Sequence, residues 1–89
     1  MVKSDLKELY DISVKISKGK ADMDEEAKYL PLSMKLMQYL EGFEDEDLLY
    51  IIYYRYMLGL VWNRIADICG SFSPEATRKA CTRSLKKFG

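Results

Sequence analysis

Near the middle of the chain the stretch Leu48-Leu49-Tyr50-Ile51-Ile52-Tyr53-Tyr54-Arg55-Tyr56-Met57-Leu58 is apolar nearly all round and stops at Gly59. A helix of that kind must be enclosed, and this one is far shorter than the roughly 20 apolar residues a bilayer span needs. The segment is therefore expected at the centre of a small helical domain, with the rest of the chain wrapped around it. At 89 residues there is material for one domain and one core.

The flanking segments supply the wrapping helices. From Ser4 or Asp5, either of which can cap a helix, Leu6, Leu9, Ser13 and Ile16 recur at three- and four-residue spacing, with Tyr10, Val14 and Ser17 beside them. Gly19 after a lysine-bearing last turn marks the end of that helix, and Lys18 to Asp22 reads as a loop. Asp24 caps a short helix through Tyr29, which Pro31 is expected to end or interrupt. Ser33 restarts a helix with Leu36, Met37 and Leu40 as its stripe and Gly42 as its C-terminal cap. The acidic run Glu44-Asp45-Glu46-Asp47 suits the first turn of the central helix, where carboxylates meet the positive end of the dipole; it is also a candidate acidic binding patch.

After Gly59, the residues Trp62, Ile65, Ala66 and Cys69 share one face of a helix that ends at Gly70. Ser73-Pro74-Glu75 then opens the last helix, read over 74–87, with a capping serine, a proline suited to the first helical position and a glutamate that complements the dipole. On it Thr77, Ala80, Cys81, Ser84 and Phe88 form a contact face of mostly small side chains, while Glu75, Arg78, Lys79, Thr82, Arg83 and Lys86 gather opposite. This arrangement is how a helix-turn-helix offers its second helix to the major groove, although a solvated basic surface helix would have the same pattern. Trp62 reads as a core anchor, and at least one of Tyr50, Tyr53, Tyr54 and Tyr56 is expected to reach solvent or a partner.

Charge adds a direction. Residues 1–54 hold seven lysines against twelve carboxylates, whereas residues 55–89 hold seven basic groups against only Asp67 and Glu75. The basic half suits a phosphate backbone, and the acidic half is expected either to face away from it or to meet a basic protein. With no histidine and with Cys69 and Cys81 outside any metal-ligand spacing, neither a metal centre nor a cofactor is expected. No nucleophile has an evident base, so the chain is not expected to be an enzyme. A charged start, Lys3 to Glu8, and the lack of a long apolar run predict neither a secretory signal nor a membrane anchor, hence a cytoplasmic chain with free thiols.

The stretch Tyr54 to Ala66, then Gly70, then Arg78-Lys79-Ala80-Cys81-Thr82-Arg83-Ser84-Leu85-Lys86-Lys87, resembles region 4 of sigma-70 factors, and more closely the short region-4-like proteins of bacteriophages and mobile elements. The likeness covers roughly residues 44–88. It departs from the family at Val61, where a capping serine or threonine is usual, at Asn63 and Arg64, which replace glutamates, and in a slightly longer turn at Gly70 to Ser73. The resemblance implies an all-α domain, an N-terminal part at 1–43 and a helix-turn-helix at 44–89, acting as a DNA-binding transcription regulator in a bacterial host cell. Arg78, Lys79, Arg83 and Lys86 match the basic positions of its recognition helix. Arg64, Ser73 and Thr82 complete the expected contact set with double-stranded DNA. The alternative is a helix-turn-helix scaffold that binds and inhibits a host protein, either RNA polymerase or a CRISPR effector. Under either reading the chain could pair as a homodimer.

Overall fold

The computed structural model describes residues 3–70 and 73–85, and these form an all-helical domain with no strand among them. Helix α1 spans Lys3–Ser17, α2 Met23–Leu40, α3 Glu46–Ile52, α4 Trp62–Cys69 and α5 Pro74–Leu85. Helix α3 runs directly into a π-helical turn over Tyr53–Met57. No helix among the described residues is long and apolar enough to cross a membrane.

Helices α1 and α2 form a hairpin whose ends are set locally. Gly19, at φ 68°, closes α1 with the two bonds of a Schellman motif, Gly19 N–H to Ile16 O at 3.0 Å and Lys20 N–H to Lys15 O at 2.8 Å. Helix α2 departs from the expectation at its start. Its cap is Asp22, not Asp24, in a capping box where Asp22 Oδ1 accepts from Glu25 N–H at 2.8 Å and Glu25 Oε1 accepts from Asp22 N–H at 3.2 Å.

Nor does Pro31 divide α2, which continues through it to Leu40. A proline in a helix leaves the carbonyl four residues earlier without its N–H partner. Here that residue is Ala27, and both Ala27 and Pro31 are exposed, so water can take the place of the lost donor. The C-terminal cap is Glu41 in right-handed conformation rather than Gly42. The buried stripe also differs: Leu32, Ser33, Leu36 and Leu40 face inward, while Met37 is exposed. On α1 the same shift makes Ile12 a core residue in place of Ile16, which is exposed.

The central segment begins as the acidic run suggests, with Asp45 accepting from Asp47 N–H at 3.0 Å and Leu48 N–H at 3.2 Å. Leu9, Leu36, Ile52 and Ile65, from four different helices, are fully buried and lie in one cluster. The central segment is not enclosed all round, however. Tyr50, Tyr53 and Leu58 reach solvent, so two of its four tyrosines lie on the surface.

The C-terminal end of the π turn is held by distant side chains. The Ser13 hydroxyl shares its hydrogen between Leu9 O at 2.8 Å and Tyr56 O at 2.6 Å, and Tyr29 donates to Met57 O at 2.7 Å. Leu58 N–H reaches back to Tyr53 O at 3.3 Å and Leu60 N–H to Tyr54 O at 3.1 Å, a closure wider than that of an α-helix. These bonds satisfy carbonyls that a helix end otherwise leaves unpaired. Gly59, at φ 66°, permits the reversal and also the approach of α1, because a Cβ there would stand 2.9 Å from Val14 N.

Candidate nucleic-acid interface

Helix α4 starts at Val61, whose backbone takes the N-cap geometry without a side-chain bond, and ends at Gly70 with φ 66° and ψ 28°. Ile65 and Ala66 are buried, Trp62 is half-buried, and Cys69 is exposed rather than on the packed face. Helix α5 then opens on Ser73, whose Oγ accepts from Ala76 N–H at 3.1 Å and whose carbonyl accepts from the Thr77 hydroxyl at 3.0 Å. The half-buried Ser73 thus serves the helix start with its hydroxyl oxygen and its carbonyl.

On α5, Thr77, Cys81 and Leu85 are buried against the domain, with Ala80 and Ser84 half-buried at one margin. Cys81 lies 1% exposed, and burial pushes its thiol up to about 11; burial likewise pushes the Tyr56 hydroxyl up to about 12. Both groups are neutral hydrogen-bonding or packing elements at neutral pH. Cys69 is free and exposed, its thiol raised by partial burial and then by Asp47.

Arg78, Lys79, Thr82 and Arg83 are all exposed on α5, and Arg64 is exposed on α4. Lys86 and Phe88 lie outside the described residues. The exposed set of α5 is divided. At 100° per residue, Arg78 and Thr82 follow the buried stripe along one flank, whereas Lys79 and Arg83 form the outermost ridge, about 100° further round. Lys79 pairs with Glu75 at 3.5 Å, an exposed i,i+4 contact worth only about 0.3–0.5 kcal/mol, so its charge remains available. The Thr82 hydroxyl donates to Arg78 O at 2.9 Å.

The Arg78 flank faces α1. Between them runs a groove of about 500 Å³, to which Lys3 and Lys7 contribute from α1 and Arg55 from the π turn. Arg55 is clamped there: its guanidinium carbon lies 3.9 Å from the Tyr10 ring centroid and 4.4 Å from that of Trp62, and Nη1 donates to Leu60 O at 3.0 Å. Trp62 is therefore both a packing residue and one wall of a cationic site. Lys3, Lys7 and Arg55 were not among the residues expected from the sequence. The lysines belong to the acidic half, and their spacing says nothing of which helix lies beside them. The first turns of α1 thus stand across this groove from α5.

Comparison of the chain with protein-family models, with curated proteins and with solved structures gives no match.

Proposed function

We propose that the chain is a DNA-binding transcription regulator of phage or mobile-element type, a helix-turn-helix like region 4 of sigma-70 factors that acts in the cytoplasm of a bacterial host. The observation that carries this reading is the two-sidedness of α5. It buries Thr77, Cys81 and Leu85 against the domain and leaves Arg78, Lys79, Thr82 and Arg83 exposed. A helix held from behind with bases along its front can enter a major groove and meet phosphates at its edges.

Fluorescence anisotropy with random-sequence duplex DNA at about 50 and 200 mM salt tests it. With roughly four to six phosphates contacted, log K should fall against log salt with a slope near −4 to −5. The double variant Arg78→Ala, Arg83→Ala should lose binding while its circular dichroism stays unchanged; retained affinity in that folded variant would overturn the reading.

A second reading, inhibition of a host protein such as RNA polymerase or a CRISPR effector, is favoured by one observation on α2. Met23, Leu30, Met34 and Met37 share the face turned away from the core, and each is more than half exposed. Methionine-rich apolar faces adapt readily to a protein partner. Co-elution with RNA polymerase that Leu30→Lys abolishes, together with no affinity for duplex DNA, would decide for it.

A further inference from the structure

Lys3 and Lys7 stand one helical turn apart on α1, and Arg78 stands opposite on α5. Arg55 lines the same groove, fixed by two aromatic rings and a backbone carbonyl. Among the described residues no carboxylate lines the groove these four cations share. Like charges held around one concavity repel each other, and the focusing of their field by the aromatic walls makes an anion the natural counterpart. The guanidinium offers planar, fixed donors, with Nη2 and Nε still free of the Leu60 bond, and the lysines add mobile point charges at the rim.

We propose that this groove holds backbone phosphate of duplex DNA, so that α1 is part of the nucleic-acid interface. This rests on the DNA-binding reading and extends it. A helix seated in a major groove is bordered by the phosphate strands, and an element beside that helix meets one of them. Helix α1 lies on the Arg78 flank of α5, where such a strand would pass. Lys3, Lys7 and Arg78 close on the phosphate from the two sides, and Arg55 forms the floor. Of the acidic residues of α1, Asp5 and Glu8 lie within its first two turns and Asp11 beyond them, and none of the three lines the groove. At the far end of the helix Lys15 is engaged with Glu25.

The test compares the full chain with the double variant Lys3→Ala, Lys7→Ala by anisotropy on random-sequence duplex DNA across a salt series. Both side chains are exposed, so the variant should keep its fold, and circular dichroism checks this. Loss of two phosphate contacts should flatten the slope of log K against log salt by about 2 and weaken binding at least tenfold at about 100 mM salt. The matched variant Lys15→Ala, Lys18→Ala removes the same charge from the last turn of α1 and the residue that follows it, and should leave the slope unchanged.

A Lys3→Ala, Lys7→Ala slope equal to that of the unaltered chain would overturn the proposal while DNA binding itself stood. Equal flattening by both variants would also overturn it, because net charge and not the groove would then be responsible. Failure of the unaltered chain to bind duplex DNA would overturn the DNA-binding reading and this proposal together.

Discussion

The Arg55 guanidinium lies 3.9 Å from the centroid of the Tyr10 ring, which ties the π turn to α1 within the lining of the cationic groove. Trp62 faces the same guanidinium at 4.4 Å. A lysine keeps the charge but not the planar stack or the fixed bond to Leu60 O. Arg55→Ala should lower unfolding free energy by about 2 kcal/mol, and Arg55→Lys should recover less than half of that, as read from urea midpoints.

The carbonyls of Tyr56 and Met57 receive their hydrogen bonds from Ser13 and Tyr29. Removing either donor strands a carbonyl at a helix end. Ser13→Ala should cost about 1–2 kcal/mol and Tyr29→Phe about 1 kcal/mol. Because the two act on adjacent carbonyls of one turn, the double variant should depart from additivity, which a double-mutant cycle measures.

Gly59 and Gly70 share a φ of 66° but differ in surroundings. At Gly70 nothing lies within 4 Å of an added Cβ, so Gly70→Ala should cost only the left-handed backbone penalty, about 1–2 kcal/mol. At Gly59 the same Cβ would meet Val14 N at 2.9 Å and Ser13 backbone carbon at 3.0 Å. Separation of α1 from the π turn adds a packing cost, and Gly59→Ala should lose about 2–4 kcal/mol in total. Thermal midpoints of the two variants check the order.

Cys81 and Tyr56 give the domain an alkaline limit. Burial raises the thiol from its ordinary 9.0 to about 11 and the phenol from 10.0 to about 12. Each therefore keeps its proton in the folded chain to a higher pH than in the unfolded one. Their stabilisation is complete below about pH 9 and is lost as pH rises through 11 to 12. Urea midpoints should hold steady from pH 7 to 8.5 and fall by pH 10.5, with Cys81 accounting for a loss on the order of 2 kcal/mol at the high end. In Cys81→Ala that alkaline fall should be shallower.

Helix starts and stops were largely legible in the sequence. The acidic run at 44–47 marks the start of α3, although only Glu46 and Asp47 lie in its first turn and Asp45 is the cap; Ser73-Pro74-Glu75 opens α5, and Gly19 and Gly70 close α1 and α4, all through contacts within six residues along the chain. The exposed ridge of α5 was legible for the same reason, since Lys79 and Arg83 share a face by helical period alone. Local chemistry suffices wherever both partners of an interaction are close in sequence.

Contacts between distant residues decided the rest. Pro31 reads as a break until the exposure of its side of α2 shows that water can replace the missing donor. Ile12 and Ile16 are equivalent by spacing, and only the direction from which α2 and the π turn approach α1 buries the first and exposes the second. Gly59 reads as a helix stop, while its second duty, admitting the backbone of Val14, exists only once α1 has docked. Lys3 and Lys7 are two lysines of an acidic segment until packing sets them beside Arg78. The sequence by itself determined the ends of most helices other than α2, and which side of α5 carries charge, because backbone hydrogen bonding and helical period act over a few residues. The tertiary structure alone decided which charges meet, because an electrostatic site depends on distances through space between residues some 70 positions apart in the chain.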